Sequence, residues 1–250
     1  MGSRNSEIGP HPAKTDLQAA MVDPANYGSA YFAHRQKNDP VRLATFAIEK
    51  RLLERHMDPK AFLKGRVMDV GCSTGEFLET IGWDLSQAWG MEVSEFARQR
   101  AQAAGISFTK TLSEEEDFFD LVVFRGTIQY LPNPFEALYA AYRALKPGGL
   151  LFLLAPNTNS PYYRAFGTLP YLEEPLHFWI PSDASLRMVL RNGGFQKIEI
   201  TFPYLGSPYA HPVRDHVKFL VKRLFRTRHK FAFWRNSMYV FAEKPRGAAH

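Results

Sequence analysis

The chain has 250 residues, is 45% apolar and carries one cysteine, Cys72. That suits one α/β domain with additions, excludes an intrachain disulfide framework, and accords with a reducing cytoplasm. Its formal charge of +6 arises between His211 and Lys230, where seven Lys/Arg accompany one Asp, leaving the rest balanced at 24 basic and 24 acidic residues; a general nucleic-acid-binding charge field is excluded, and one basic patch remains.

Taken in order, Met1–Pro12 is polar and lacks the apolar core of a secretory signal. Residues 1–38 are expected to form a flexible N-terminal segment. Its aromatic stretch Tyr27–Phe32 is expected to fold over a site as a lid, with Tyr31 against an acceptor. Pro40–Met57 has helical spacing, with Leu43, Phe46, Ala47, Leu52 and Leu53 on one face. Val67–Val70 reads as a buried strand, followed by a turn with Gly71 and Gly75 and a helix from Glu76. Gln87–Val93 reads as the next strand, Ser94 as an N-cap, and Glu95–Ala104 as a helix.

A short strand is expected at Ile106–Thr109 and an apolar one at Phe118–Phe124. A helix over Pro134–Leu145 ends in the stop and turn Lys146-Pro147-Gly148-Gly149, before a strand at Leu150–Ala155. That last run is too short to span a bilayer. Residues 156–181, rich in Pro, Tyr, Phe and Asn, read as a long ordered loop. Ser182-Asp183 caps a helix running to Asn192, Phe195–Phe202 alternates like a strand, 203–235 is an insertion, and Ser237–Glu243 is a last strand. Strands alternating with helices imply a mostly parallel sheet.

The chemistry-bearing signal is Asp69, the G-x-x-x-G turn, and Glu92 at the end of the following strand. In a Rossmann-like sheet that carboxylate faces a ligand and can accept from both ribose hydroxyls. The turn lacks the third glycine of dinucleotide binders, which counts against a nicotinamide-dependent oxidoreductase.

Val67–Gly75 is similar to the first motif of class I S-adenosylmethionine-dependent methyltransferases, and Gly90-Met91-Glu92-Val93-Ser94 resembles the second. Phe119–Phe124 resembles that family's fourth strand, and Leu131–Pro134 with Ala144–Leu151 its helix and turn before the fifth. The resemblance runs from Gly65 to Glu243 and makes residues 39–250 the methyltransferase domain, with an acceptor loop at 156–181 and a basic insertion at 203–235. It implies an α/β Rossmann-like sheet of seven strands, mostly parallel with the last antiparallel, and helices on both faces. It implies S-adenosyl-L-methionine as cofactor, with Asp69, Gly71, Cys72, Ser73 and Gly75 holding the methionine part and Glu92 the ribose. Met91, Val93, Thr111 and Leu112 would lie by the adenine, and Arg125 and Gly126 by the sulfonium. Two positions depart from the pattern: Ser73 replaces a glycine, and Thr109–Leu112 lacks an acidic residue.

The methyl acceptor is expected to be a small or carrier-linked molecule, with no nucleic acid and no metal, and oxygen is the expected target. A non-catalytic binding module is the competing class. His177 and Tyr130 are the candidate bases, weighed against plain loop packing; His211 reads as a surface residue. Tyr162, Tyr163, Phe166, Tyr171 and Trp179 either line an acceptor pocket or pack the loop down, and Asn157 either touches substrate or makes a turn. Cys72 reads as a small turn residue rather than a nucleophile. In the basic stretch Val213, Val217, Leu220, Val221 and Leu224 share one helical side, with Arg214, Lys218, Lys222, Arg223 and Arg226 around them. One reading is weak contact of 211–230 with an anionic membrane surface; the other is a surface helix packed by its apolar side.

Overall fold

A computed structural model describes residues 39–109, 111–170, 172, 177–225, 227 and 230–246. The expected N-terminal segment 1–38 with Tyr31, and also Tyr171 and Arg226, lie outside the described residues. Among the described residues no helix is long and apolar enough to cross a membrane.

Helix α1 spans Pro40–His56; the Asp39 side chain accepts from the Val41 N–H, and proline occupies the first turn, where it forfeits no hydrogen bond. Strand β1 (Val67–Val70) leads through the glycine turn to α2 (Glu76–Ile81). Strand β2 (Ala88–Met91) and α3 (Glu95–Ala103) follow, with Ser94 capping α3 through the Ala97 N–H. Next come β3 (Ser107–Phe108), β4 (Phe119–Arg125), α4 (Pro134–Ala144) and β5 (Leu145–Pro156). Helices α5 (Pro161–Phe166) and α6 (Asp183–Asn192), strand β6 (Gln196–Thr201), helix α7 (Pro212–Phe225) and strand β7 (Ser237–Glu243) complete the order. Ser182 and Ser185 form a capping box on α6.

The seven strands lie in the order β3-β2-β1-β4-β5-β7-β6. The first five pair in parallel, and β7 runs antiparallel to both neighbours, as the resemblance implies. Side chains alternate across the sheet. Met68, Val70, Val122, Phe124, Leu151 and Leu153 meet α4 and α6 on one face. Val67, Leu121, Val123 and Phe152 meet α1, α2 and Ala101 of α3 on the other.

Three expectations need correction. The Lys146–Gly149 stretch does not separate α4 from the strand; it lies within β5 as a bulge, these four residues of β5 opposing the single Asp120 of β4 between Phe119 and Leu121. Lys146 Nζ there reaches both carboxylate oxygens of Asp120, at 2.8 and 2.7 Å. The segment 156–181 is not all loop, because Ser160 caps α5 through the Tyr163 N–H. Helix α7 does not pack by its apolar side. Asp215, Phe219 and Lys222 face the protein, while Val213, Val217, Leu220, Val221 and Leu224 are exposed.

Candidate active site

At the carboxyl end of β1 the chain bends at Gly71, where φ is +80° and an added Cβ would collide with the Thr127 side chain. Gly75 has the same φ, and a Cβ there would meet Ile106. Both positions therefore need glycine, for conformation and for space. Ser73 also lies in the left-handed region, at φ +55°. The turn is sewn to β2, since the N–H groups of Gly71 and Cys72 donate to the Met91 carbonyl at 2.7 and 3.2 Å.

Glu92 stands one residue past β2. Its carboxylate accepts the Ser73 N–H at 2.9 Å and the Ser94 N–H at 2.8 Å, so it clasps both βα turns. Met91 and Leu112 are buried in the core, whereas Val93 and Thr111 are half-buried. Thr111 accepts the Ser113 N–H and caps a short 3-10 turn. Cys72 is buried, and its thiol is pushed well up, by burial first and then by the Asp69 and Glu92 carboxylates. It stays protonated and is no nucleophile.

Asp69, Arg125, Leu154 and Tyr239 belong to the sheet face covered by α1 and α2. The register sets Asp69 beside Val123 and Arg125 beside Leu154, with Tyr239 on the far side of Leu154. Arg125 sits between the Phe46 and Phe77 rings, at 4.7 and 4.4 Å, and donates to both oxygens of Glu49 on α1, at 2.9 and 3.2 Å. Burial alone would lower the Arg125 pKa; the Glu49 charge and hydrogen bonds, with Asp69, outweigh it and raise it. The Tyr239 hydroxyl donates to Glu49 at 3.1 Å. Its pKa is raised by burial and then by Glu49, which keeps the phenol neutral. Asp69 is itself 2% exposed, and its Oδ1 has no hydrogen-bond partner. Burial pushes its carboxyl up to about 7; Arg125 opposes the shift, and Glu92 and Glu49 add to it. An orphaned buried acceptor beside a glycine turn suits a ligand that brings N–H donors or positive charge. These residues therefore fit a nucleoside that carries an ammonium group.

After β4, Gly126 donates to the Leu154 carbonyl at 2.8 Å, and its own carbonyl accepts the Gln129 side chain at 2.9 Å. The Gln129 carbonyl receives the Phe178 N–H at 2.9 Å. That docks the segment carrying His177 on the turn carrying Tyr130, and the two rings lie 5.2 Å apart. Trp179 packs on the exposed Phe135 ring at 5.0 Å. Asn157 is fully buried, its Oδ1 joining the Asn159 and Asp183 N–H groups. Tyr162 is 1% exposed, inside a satellite core with Leu169, Leu172, Phe231 and Phe233, and the half-buried Tyr163 packs on that core. The structure thus brings His177 and Tyr130 together, and it spends Tyr162 and Asn157 in the fold.

An open cavity of about 500 Å³ lies instead against the α1 face, with Thr45, Leu154, Tyr204, Tyr209, Phe231 and Tyr239 in its wall. Sequence reasoning missed this wall and also Glu49. A signal for Glu49 existed: it is a carboxylate set between Phe46 and Leu53 on the buried stripe of α1.

The chain matches the methyltransferase domain family over residues 33–200. It is 31% identical over 121 residues to a ubiquinone biosynthesis O-methyltransferase of Thiobacillus denitrificans, covering 44% of this chain and 52% of that protein. It thus spans about half the length of the curated relatives it matches. A S-adenosylmethionine-dependent methyltransferase of Thermotoga maritima, described as a possible histamine N-methyltransferase, superposes with a TM-score of 0.55 at 20% identity, covering 88% and 95% of the two chains. The [4+2]-cyclase SpnF superposes with a TM-score of 0.56 at 19% identity, covering 79% and 81%.

The Asp69 shift predicts a pH dependence. Unfolded, the carboxyl ionises near 3.8; folded, near 7. Between those values the unfolded state releases its proton first, so this group makes stability fall as pH rises, with no effect below the window and a constant penalty above it. Asp69→Asn is expected to match the parent near pH ~4 and to exceed it by on the order of a few kcal/mol above pH ~7 in urea denaturation. A difference independent of pH would contradict the assignment.

Proposed function

Because the chain belongs to the methyltransferase domain family, with the class I S-adenosylmethionine-dependent fold, we propose that it transfers a methyl group to a hydroxyl oxygen of a small or carrier-linked acceptor. The observation that carries the reading is the pairing of an orphaned, buried Asp69 carboxyl with a Glu92 clasp across one glycine turn. In this proposal Asp69 meets the ammonium of S-adenosyl-L-methionine, Gly71, Cys72, Ser73 and Gly75 line its methionine part, and Glu92 accepts from the ribose. Val93 and Thr111 border the adenine over the buried Met91 and Leu112, and Gly126 leaves space by the sulfonium. Arg125, expected by the sulfonium, also anchors on Glu49 and opposes the upward shift of Asp69.

When bound, the cofactor supplies an electrophilic methyl group whose leaving group is neutral, so no acid is required. What the protein adds is alignment, which in well-held systems is worth roughly 7–11 kcal/mol. A hydroxyl acceptor also benefits from a base. His177 is the candidate, with Tyr130 holding its ring. The apolar cavity beside Tyr239 suits an acceptor with an apolar body. The relatives' O-methyltransferase names support oxygen as the target. A cytoplasmic setting belongs to the same proposal, supported by a single buried cysteine without a disulfide.

The likeness to a cyclase gives weight to a second reading, in which the cofactor is bound without methyl transfer. Calorimetric titration separates the two. S-adenosylmethionine and S-adenosylhomocysteine should both bind, and Glu92→Ala should weaken both by at least tenfold; no binding would overturn the cofactor assignment. Binding with no methyl transfer to any hydroxylated acceptor would select the second reading. Once an acceptor is found, His177→Ala should lower kcat with little change in KM and abolish the acidic limb of the pH profile. An unchanged profile would remove His177 as base.

A further inference from the structure

Helix α7 is attached to the protein by a narrow line of contacts. Asp215 accepts the Tyr204 hydroxyl at 2.8 Å and the His211 N–H at 3.0 Å. Phe219 stacks on Phe233 at 4.6 Å, and Lys222 lies over the Phe166 ring at 5.2 Å. At 100° per residue these three positions fall on one side of the helix. Val213, Val217, Leu220, Val221 and Leu224 fall on the opposite side and are 41% to 82% exposed. Five apolar side chains in one outward stripe exceed the scatter expected of a surface helix. Arg214 and Lys218 border the stripe on one edge and Arg223 on the other, all exposed. The only acidic residue between 211 and 230 is Asp215, which points inward and is 2% exposed.

We infer that α7 is a membrane-docking helix that lies in the surface plane of an anionic bilayer, its valine–leucine stripe among the acyl chains and its flanking cations among phosphate headgroups. An apolar stripe bordered by Lys and Arg is the arrangement that binds such surfaces. The charge pattern selects this occupant. A second copy meeting the first stripe to stripe would bring Arg214, Lys218 and Arg223 against their like, with no exposed carboxylate on the helix to relieve them. Helix α7 also begins at the mouth of the apolar cavity, since Tyr209, Lys230, Phe231 and Ala232 line both that cavity and the cleft touching His211, Arg214 and Lys218. Docking by α7 therefore turns the cavity mouth toward the lipid, the side from which an apolar acceptor would enter. The docking itself is independent of the reaction proposed above.

The test is flotation of the full chain with phosphatidylcholine vesicles, alone or mixed with phosphatidylglycerol. Binding is expected to the mixed vesicles and not to the neutral ones, and to weaken with added salt. Arg214→Ala, Lys218→Ala and Arg223→Ala should each weaken it about fivefold. The double variant Leu220→Glu, Leu224→Glu should abolish it while leaving the melting temperature and S-adenosylhomocysteine affinity unchanged, because both side chains are exposed. Equal binding to both vesicle types, or none to either, overturns the inference. A double variant that floats like the parent, or that converts an oligomer to monomers in sedimentation, overturns it too; the latter would make the stripe a contact between copies.

Discussion

Two buried carboxyl groups, Asp69 and Glu49, and the half-buried Arg125 set the character of the carboxyl edge of this sheet. A buried carboxylate needs a partner, and Glu49 finds it in Arg125, which pairs with Glu49 rather than with Asp69. That choice fixes α1 against the sheet and leaves Asp69 with one oxygen unsatisfied and its carboxyl raised to about 7. An apoprotein with such a group has a standing electrostatic penalty at neutral pH, which a cationic ligand relieves. The glycine turn and the Glu92 clasp supply the shape of the seat, and the unsatisfied Asp69 supplies its appetite for positive charge.

The same cluster joins the glycine turn's surroundings to the apolar cavity. Glu49 also holds the Tyr239 hydroxyl, and Tyr239 forms part of the apolar cavity wall. One carboxylate on α1 thus holds both Arg125 and Tyr239. Loss of Glu49 would remove the partner of Arg125 and of the Tyr239 hydroxyl together. Beyond the cavity, α7 carries its apolar stripe on its outward side.

Much of this was legible because it depends on local spacing. The glycines at 71 and 75, the acid at 92 and the cap at Ser94 are consequences of backbone conformation at the ends of β1 and β2, and backbone conformation is written in residue type. The mostly parallel sheet followed from the alternation of strands and helices, and its seven strands with the last antiparallel from the resemblance to a known family. What could not be read depends on which side of an element meets the rest of the chain. The pattern of α7 identifies an apolar stripe, yet a small set of long-range contacts, Asp215 to Tyr204 and Phe219 to Phe233, decides that the stripe faces outward. Tyr162 looked like a pocket residue because the satellite core that buries it is built from Phe231 and Phe233, some seventy residues away. Arg125 was placed by its position after β4, and its real partner lies 76 residues earlier on α1.

The central claim is that Asp69 is the carboxyl waiting for the donor's ammonium group. Calorimetry of S-adenosylhomocysteine binding at slightly acidic pH, below the carboxyl's midpoint near 7, repeated in buffers of different ionisation enthalpy, tests it directly. The account predicts that binding ionises Asp69 and releases close to one proton, and that Asp69→Asn, if it still binds, releases none. Binding enthalpies that do not depend on the buffer, or a release that survives in Asp69→Asn, would contradict it.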